Sequence, residues 1–495
     1  MVSLPTDPLS LLVFVLVILL LMITFHHYQA PCKNFPPGPW GLPIIGSFIY
    51  FGKTSYKDMM RLSKQYGDVY SLKMGSRIVV VVSGTDAIKE CLVKRGNTFA
   101  DRPNMWLMDL FNPKYEGIAD GHFDEKWQRR RQFAHTTLRG FGFGKTSMES
   151  KISEEVSFLL DEFRDIQGKP IDAGPMVNRS VSNVICSIAF GKRFDYSDNT
   201  FKLMIDVMGK WFELAGKMFE LDLFPFLRPF SKTHIDCFVQ LGDDLKKFCK
   251  QQIDEHREVF DPDNIGDFID AYLAETMKQD GNEDFTDDQL KHTLVDLFSA
   301  GTETTATTLK WGLLFMVLHP EIQERVFNEI DQVVGVNRLP RLEDRKDLPY
   351  TEATILEIQR LGSIVPFALQ HSTMRHSILG GYNIPKGTEL TVLLWSIHHD
   401  QNAWSNPGKF DPKRFYDSMI NAVRKSDHFM PFSAGRRVCM GEQLAKHELF
   451  LYFTAMIHQF KFTLPVGTKK PCTEGVLGLT LVPAPFKVII EERNS

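Results

Sequence analysis

The sequence predicts a mainly α fold with small β-sheets (α+β), a single large domain behind an N-terminal transmembrane helix. Three observations predict it: an uncharged apolar run opens the chain, long helix-like stretches fill the body, and strand signals are confined to short clusters. No internal repeat or long linker follows residue 46. The chain has 495 residues, 43% of them hydrophobic, which excludes disorder and a small disulfide-stapled domain. A net charge of −4 gives no gross signal for nucleic acid.

The first element is the run Leu9 to Phe25, about 25 Å long as a helix and at the short end of a bilayer span. A cleaved signal peptide wants a basic leader and a small-residue cleavage site, whereas here Asp7 precedes the run and His26, His27 and Tyr28 follow it. An uncleaved anchor over residues 1–30 is the better reading, and Lys33 beyond it places the remainder in the cytosol. Residues 31–47 form a hinge: Pro36-Pro37-Gly38-Pro39, then Pro43 and Gly46, fix φ and disfavour helix. On this topology the sequon Asn178-Arg179-Ser180 faces the cytosol and stays unmodified.

Residues 48–495 form the domain. Ile78 to Val82 reads as a buried strand closed by Ser83-Gly84. Helix is expected in the 120s to 140s and at 150–165, 200–220, 235–258, 286–318, 320–334 and 349–361. Strands are expected near 69–82, 376–394 and 460–490. Pro225, Pro229, Asp261-Pro262-Asp263 and Gly281-Asn282 mark loops. Thr286 with Gln289 forms a capping box that starts the longest helix, and Pro320 follows its end.

Seven cysteines (Cys32, Cys91, Cys186, Cys237, Cys249, Cys439 and Cys472) include no CxxC pair and fit neither a disulfide framework nor a cysteine-based zinc site. Cys439 differs from the rest by its surroundings, Phe432-Ser433-Ala434-Gly435-Arg436-Arg437-Val438-Cys439-Met440-Gly441, after which Glu442-Gln443-Leu444-Ala445 opens a helix. Free backbone N–H groups at a helix start, together with two arginines, favour a thiolate. Gly435 and Gly441 permit close approach to a flat ligand. An isolated cysteine is most often an inert buried thiol; here the whole ten-residue pattern carries the argument.

That pattern resembles the haem-binding loop of the cytochrome P450 family, Phe-x-x-Gly-x-Arg-x-Cys-x-Gly, at every fixed position. Three further motifs follow the family's order. Glu357-Ile358-Gln359-Arg360 resembles its Glu-x-x-Arg helix pair, which Arg414 of Asp411-Pro412-Lys413-Arg414-Phe415 would complete as a structural triad. Ala300-Gly301-Thr302-Glu303-Thr304-Thr305 resembles the oxygen-activating turn, in which Thr304 would bond dioxygen and Glu303 would supply protons. Gly301 and the threonines are expected to loosen the helix there. Trp127-x-x-x-Arg131 resembles the haem-propionate clamp, with Arg437, and on looser matches Arg102 and His371, as further partners. Phe432, Gly441 and Ala300 complete the implied cofactor contacts. The resemblance covers nearly the whole chain and is nearest to the microsomal family-2 group.

The resemblance implies haem b with Cys439 as axial ligand and a monooxygenase inserting one atom of O2 into an apolar fatty acid, steroid or xenobiotic. It implies electrons from NADPH through NADPH-cytochrome P450 reductase, with cytochrome b5 a second candidate donor, and a place on the cytosolic side of the endoplasmic reticulum membrane. Arg129, Arg130, Arg139, Lys145, Arg436 and Lys446 are candidates for a basic reductase-docking face. Phe298, Val365 and Phe367 are candidate substrate contacts, as are the 103–122 loop and the aromatic-rich 205–230 region. Leu221 and Leu223 there are candidates for facing lipid. A haem-thiolate isomerase or dehydratase is an alternative that Glu303-Thr304 disfavours; a haem-binding sensor is another.

Overall fold

A computed structural model describes residues 7–27, 30–42, 44–141, 146–166, 168–278 and 284–493, with side chains at 24–27 and 146–147 outside that set. Pro43 of the hinge, Lys145 of the basic cluster and the Gly281-Asn282 loop therefore lie outside the described residues.

The fold is mainly helical with small sheets. Its axis is the helix Asp287–Leu318, which begins where the capping box requires: Gln289 N donates to Thr286 Oγ1 at 3.3 Å and Thr286 N to Gln289 Oε1 at 3.1 Å. Most of its side chains are buried, because neighbours surround it. One is the helix Gly174–Ala189, which sequence reading missed. Its Val, Ser, Asn and Ile content carries little intrinsic helix preference, so residue type gave no helix signal there. The two helices approach closely at Gly301, where a Cβ would meet Ile185 Cδ1 at 2.4 Å. The expected loosening at Gly301 does not occur, and the helix is continuous through 300–305.

The main sheet has four strands in the order Val69–Met74, Arg77–Val82, Glu389–Val392 and His371–Ser372. The first pair is antiparallel with Val69 opposite Val82, and the second is parallel with Val80 opposite Leu390. The Val79–Val82 run is buried, as its continuous apolar character demands.

The helix Pro349–Gly362 carries Glu357 and Arg360, both fully buried. Arg360 donates to Glu357 from Nε (2.7 Å) and Nη2 (2.8 Å), and Arg414 Nε reaches Glu357 Oε1 at 3.3 Å. The remaining donors find carbonyls, such as Arg360 Nη1 to His398 O at 2.7 Å. Burial pushes the Glu357 carboxyl up, and the two arginines pull against it.

The N-terminal run is helical over Pro8–His27 with mostly exposed apolar side chains. Among the described residues no helix is long and apolar enough to cross a membrane.

Candidate active site

A cavity of about 310 Å³ lies between the central helix and the Cys439 loop. The helix contributes Ala300, Thr304 and Thr305, the loop Phe432, Arg437 and Cys439, and the wall is largely apolar. Gly435 shapes the loop. Its φ is +76°, and a Cβ would stand 1.8 Å from Leu92 O, so no other residue fits without moving backbone. Cys439 N donates to Phe432 O at 3.0 Å, which closes the turn, and the helix Glu442–Gln459 begins three residues on. The accessible surface of Cys439 faces this cavity, since the residue lines it. Burial pushes its thiol up, while the Gly441 N–H and Arg131 pull it down. The net direction is up, so the expected depression of the thiol is not achieved by the protein groups alone.

Arg102, Arg131 and Arg437 share the cavity wall. Arg437 donates to the carbonyls of Ala100 (2.8 Å), Gly121 (2.5 Å) and Ile118 (3.3 Å). Arg102 donates to Ala119 O (2.9 Å), Gln370 O (2.7 Å) and Leu369 O (3.0 Å), and Arg131 to Val438 O. These partners are dipoles, not charges. Burial and mutual repulsion pull Arg437 down to about 8; burial, only partly offset by Asp120, pulls Arg102 down to about 10. Buried cations this poorly neutralised suit a ligand bearing carboxylates. A thiol, a cluster of guanidinium groups and an apolar wall together match the chemistry of haem, whose propionates and iron are its polar parts.

Not every residue expected here reaches the wall. Trp127 is buried behind it, its indole N–H donating to Ile118 O at 3.0 Å and its ring under the Arg437 guanidinium at 3.8 Å. It supports Arg437 in this arrangement and offers the cavity no donor. His371 lines the cavity, but its Nδ1 bonds Phe99 O at 2.7 Å and burial lowers it to about 3. The neutral ring then has its one proton on Nδ1, which leaves Nε2 an acceptor.

Thr304 lines the cavity and donates to Ala300 O at 2.7 Å. Glu303 points elsewhere, since successive helical side chains diverge by about 100°. Its Oε1 accepts from Thr307 (3.1 Å) and Thr480 (3.5 Å). Val365 is on the wall, whereas Phe298 packs between Phe190 and Phe248 and Phe367 packs on the core. In the 205–230 region Met208, Trp211, Met218 and Phe224 are core, and so are Leu221 and Leu223, which therefore cannot face lipid; the exposed aromatic residues are Phe226 and Phe230.

Sequence reading missed the two acidic wall residues. Asp296, one turn before Ala300, accepts from Ile118 N (2.6 Å) and Ala119 N (3.0 Å) and so fixes the loop that holds the arginines. Glu448 accepts from Thr305 Oγ1 at 3.1 Å and burial raises it to about 8, a neutral acid at neutral pH. An acidic residue on an otherwise apolar helical face was the available signal for both. Of the basic cluster, Arg130 is buried and Arg129 is held by Asp284 at 2.6 Å, which removes the first and occupies the second. Arg436 and Arg139 are exposed, and Lys446 pairs with Glu442 at 2.6 Å.

An apolar cavity bearing one thiol and a set of buried guanidinium groups defines a haem-thiolate oxidoreductase. The comparisons agree: residues 36–490 match the family described as Cytochrome P450, and the chain belongs to that family. It is 40% identical to "Cytochrome P450 2U1" of Rattus norvegicus over 92% of this chain and 91% of that protein. It is also 40% identical to "Cytochrome P450 2B4" of Oryctolagus cuniculus (90% and 91%) and 37% identical to "Cytochrome P450 2J2" of Homo sapiens (95% and 93%). The protein is thus a haem b monooxygenase that resembles the family-2 enzymes.

Proposed function

We propose that this monooxygenase oxidises an apolar small organic molecule, a fatty acid, steroid or xenobiotic, at the cytosolic face of the endoplasmic reticulum. The observation that carries this reading is the largely apolar cavity shared by Cys439, Thr304 and Val365. Bound haem supplies oxygen activation through its thiolate-ligated iron. The chain's part is to bind and orient. Cys439 is the iron ligand, and Arg102, Arg131 and Arg437 hold the propionates, with Trp127 and His371 packed around them. Phe432, Gly441 and Ala300 flank the ring. Thr304 donates a hydrogen bond in the cavity, and Glu303 relays protons after turning from Thr307 and Thr480.

Residues 1–30 serve as the membrane anchor, 31–47 as the hinge and 48–495 as the haem-thiolate domain. Exposed Phe226 and Phe230 support a second lipid contact. Electrons come from NADPH through the reductase, with cytochrome b5 as a second donor. Exposed Arg139 and Arg436, with Lys446, support docking of an acidic partner. Neutralising Arg139 and Arg436 together should raise the apparent KM for reductase and flatten its salt dependence; an unaltered salt response removes that face.

The test of the whole reading is turnover of a panel of fatty acids, steroids and drugs by purified enzyme with reductase. Product should require NADPH, reductase and O2 together. Product formed from a peroxide without O2 would mark an isomerase or dehydratase instead.

A further inference from the structure

Glu448 lines the haem cavity, yet only half of its carboxyl group is satisfied there. Thr305 Oγ1 donates to Oε2 at 3.1 Å, whereas Oε1 is buried with no hydrogen-bond partner among the described residues. A buried polar atom left in this state is costly and asks for a cause beyond packing. One turn further along the helix Glu442–Gln459 stands Tyr452, fully buried. Side chains four residues apart share a helical face, about 5–6 Å from each other at Cβ. Burial above all, with Tyr196, Glu155 and Glu448 adding their charge, pushes the Tyr452 hydroxyl up, so it keeps its proton.

From Tyr452 the polar groups continue to the surface. Its hydroxyl meets Ser180 Oγ at 2.7 Å, on the helix Gly174–Ala189. Ser180 is also a hydrogen-bond partner of the Tyr196 hydroxyl. Tyr196, part-exposed, donates to Glu155 Oε2 at 2.9 Å. Glu155 belongs to the helix Thr146–Ile166 and is paired with Arg193 at 2.5 Å; the Arg193 side chain is 24% exposed. Otherwise the inward faces of these helices are hydrocarbon, as at Val177, Val184, Leu449 and Phe453. A tie between helices accounts for the Tyr452–Ser180 and Tyr196–Glu155 contacts. It does not account for a row of buried oxygens that ends on a cavity-wall acid with one oxygen to spare.

We propose that Tyr196, Ser180, Tyr452 and Glu448 form a proton path from the protein surface to the haem cavity, separate from Glu303. A water at Glu448 Oε1 bridges the acid to the Tyr452 hydroxyl. Each group hands its proton inward as it takes one from its outer neighbour, and rotation of the hydroxyls then resets the row. The net step moves one proton from solvent at Tyr196 to Glu448, and no member is left changed. Monooxygenation consumes protons as well as electrons; the reductase brings the electrons, and the largely apolar wall offers protons few carriers. The inference rests on the reading that oxygen is reduced in this cavity.

The experiment is infrared spectroscopy of the full-length holoenzyme at neutral pH, with the imidazole inhibitor miconazole filling the cavity so that solvent cannot reach Glu448 from that side. The carbonyl band of the protonated Glu448 acid is the one that Glu448→Gln removes. On transfer to D2O it shifts, and the rate of that shift reads proton access. Tyr452→Phe keeps the ring and deletes the hydroxyl. We expect it to slow the shift about 10²-fold, the lower worth of a positioned proton-transferring group, with the Soret band unmoved. A rate equal to wild type, or no band that Glu448→Gln removes, overturns the path. Should Tyr452→Phe fail to retain haem, Ser180→Ala interrupts the same row and is judged by the same outcomes. Without miconazole, Tyr452→Phe should lower product per NADPH severalfold; slowed exchange with unchanged product per NADPH overturns delivery to the reaction. Exchange is read without turnover, so its result stands apart from whether product requires reductase and O2.

Discussion

At residue scale the site rests on guanidinium charges that the protein buries and only partly neutralises, beside a thiol. Cys439, Arg102, Arg131 and Arg437 share one cavity, and the arginine hydrogen bonds end on carbonyls. Motifs whose chemistry is contiguous in the chain were legible beforehand. The ten residues from Phe432 to Gly441 include the thiol, the basic pair and the φ +76° glycine that shapes the turn. What was not legible depends on how each helix is rotated by its neighbours. Glu303 and Thr304 are adjacent in sequence, yet only Thr304 meets the cavity. Trp127 was expected at the wall for its indole donor in the clamp motif and Phe298 for its place on the central helix, but packing drew both behind it. Thr304→Ala should lower product formation by about 10²-fold, the usual worth of a positioned proton-transferring group. NADPH consumption should persist and peroxide should accumulate; product and peroxide yields per NADPH measure this, and unchanged coupling would detach Thr304 from the chemistry.

At the scale of elements, capping and pairing decide where the pieces sit. The Thr286–Gln289 box was readable because its two residues are three apart in sequence. The helix Gly174–Ala189 was not, because it is defined by what it packs on. The Glu357–Arg360–Arg414 group ties the helix Pro349–Gly362 to the 405–414 segment, and Arg414 also donates to Ser405 O at 2.6 Å. Glu357→Gln leaves a fully buried guanidinium without its counter-charge and should cost about 3–5 kcal/mol. Urea unfolding followed by circular dichroism would read it, and a midpoint equal to wild type would deny the triad its structural role.

A second tie, between the helices Lys232–Val259 and Phe268–Lys278, is sensitive to pH. His256 Nε2 meets Asp267 Oδ2 at 2.8 Å and Nδ1 meets Gln252 O at 2.6 Å. Burial pulls His256 down, but the Asp267 bond and charge outweigh it and leave it above its ordinary value. A raised folded pKa means that this tie contributes fully below the unfolded value of about 6.5 and is lost as pH rises through the folded value. Amide exchange across residues 260–272 should therefore be faster at about pH 8 than at about pH 6, beyond the intrinsic chemical rate. His256→Gln should abolish the difference; a variant that keeps it would assign the effect to another group.

At the scale of the whole molecule, the fold class was legible because the helices are long and the strands few, and the family because its motifs span the chain. Surface assignments were less legible, since exposure is a property of the folded chain. Arg130, chosen for its neighbours in sequence, proved buried, and Leu221 and Leu223 yielded the outer surface to Phe226 and Phe230. These details all serve one arrangement, in which a mainly helical body encloses an apolar cavity bearing a single thiol. The most direct test is the absorbance of purified, reduced enzyme under carbon monoxide. A red-shifted Soret band characteristic of thiolate-ligated haem should appear in the wild type and vanish in Cys439→Ala. Its absence from folded, haem-loaded wild type, or its survival in the variant, would contradict the assignment of Cys439 to the iron.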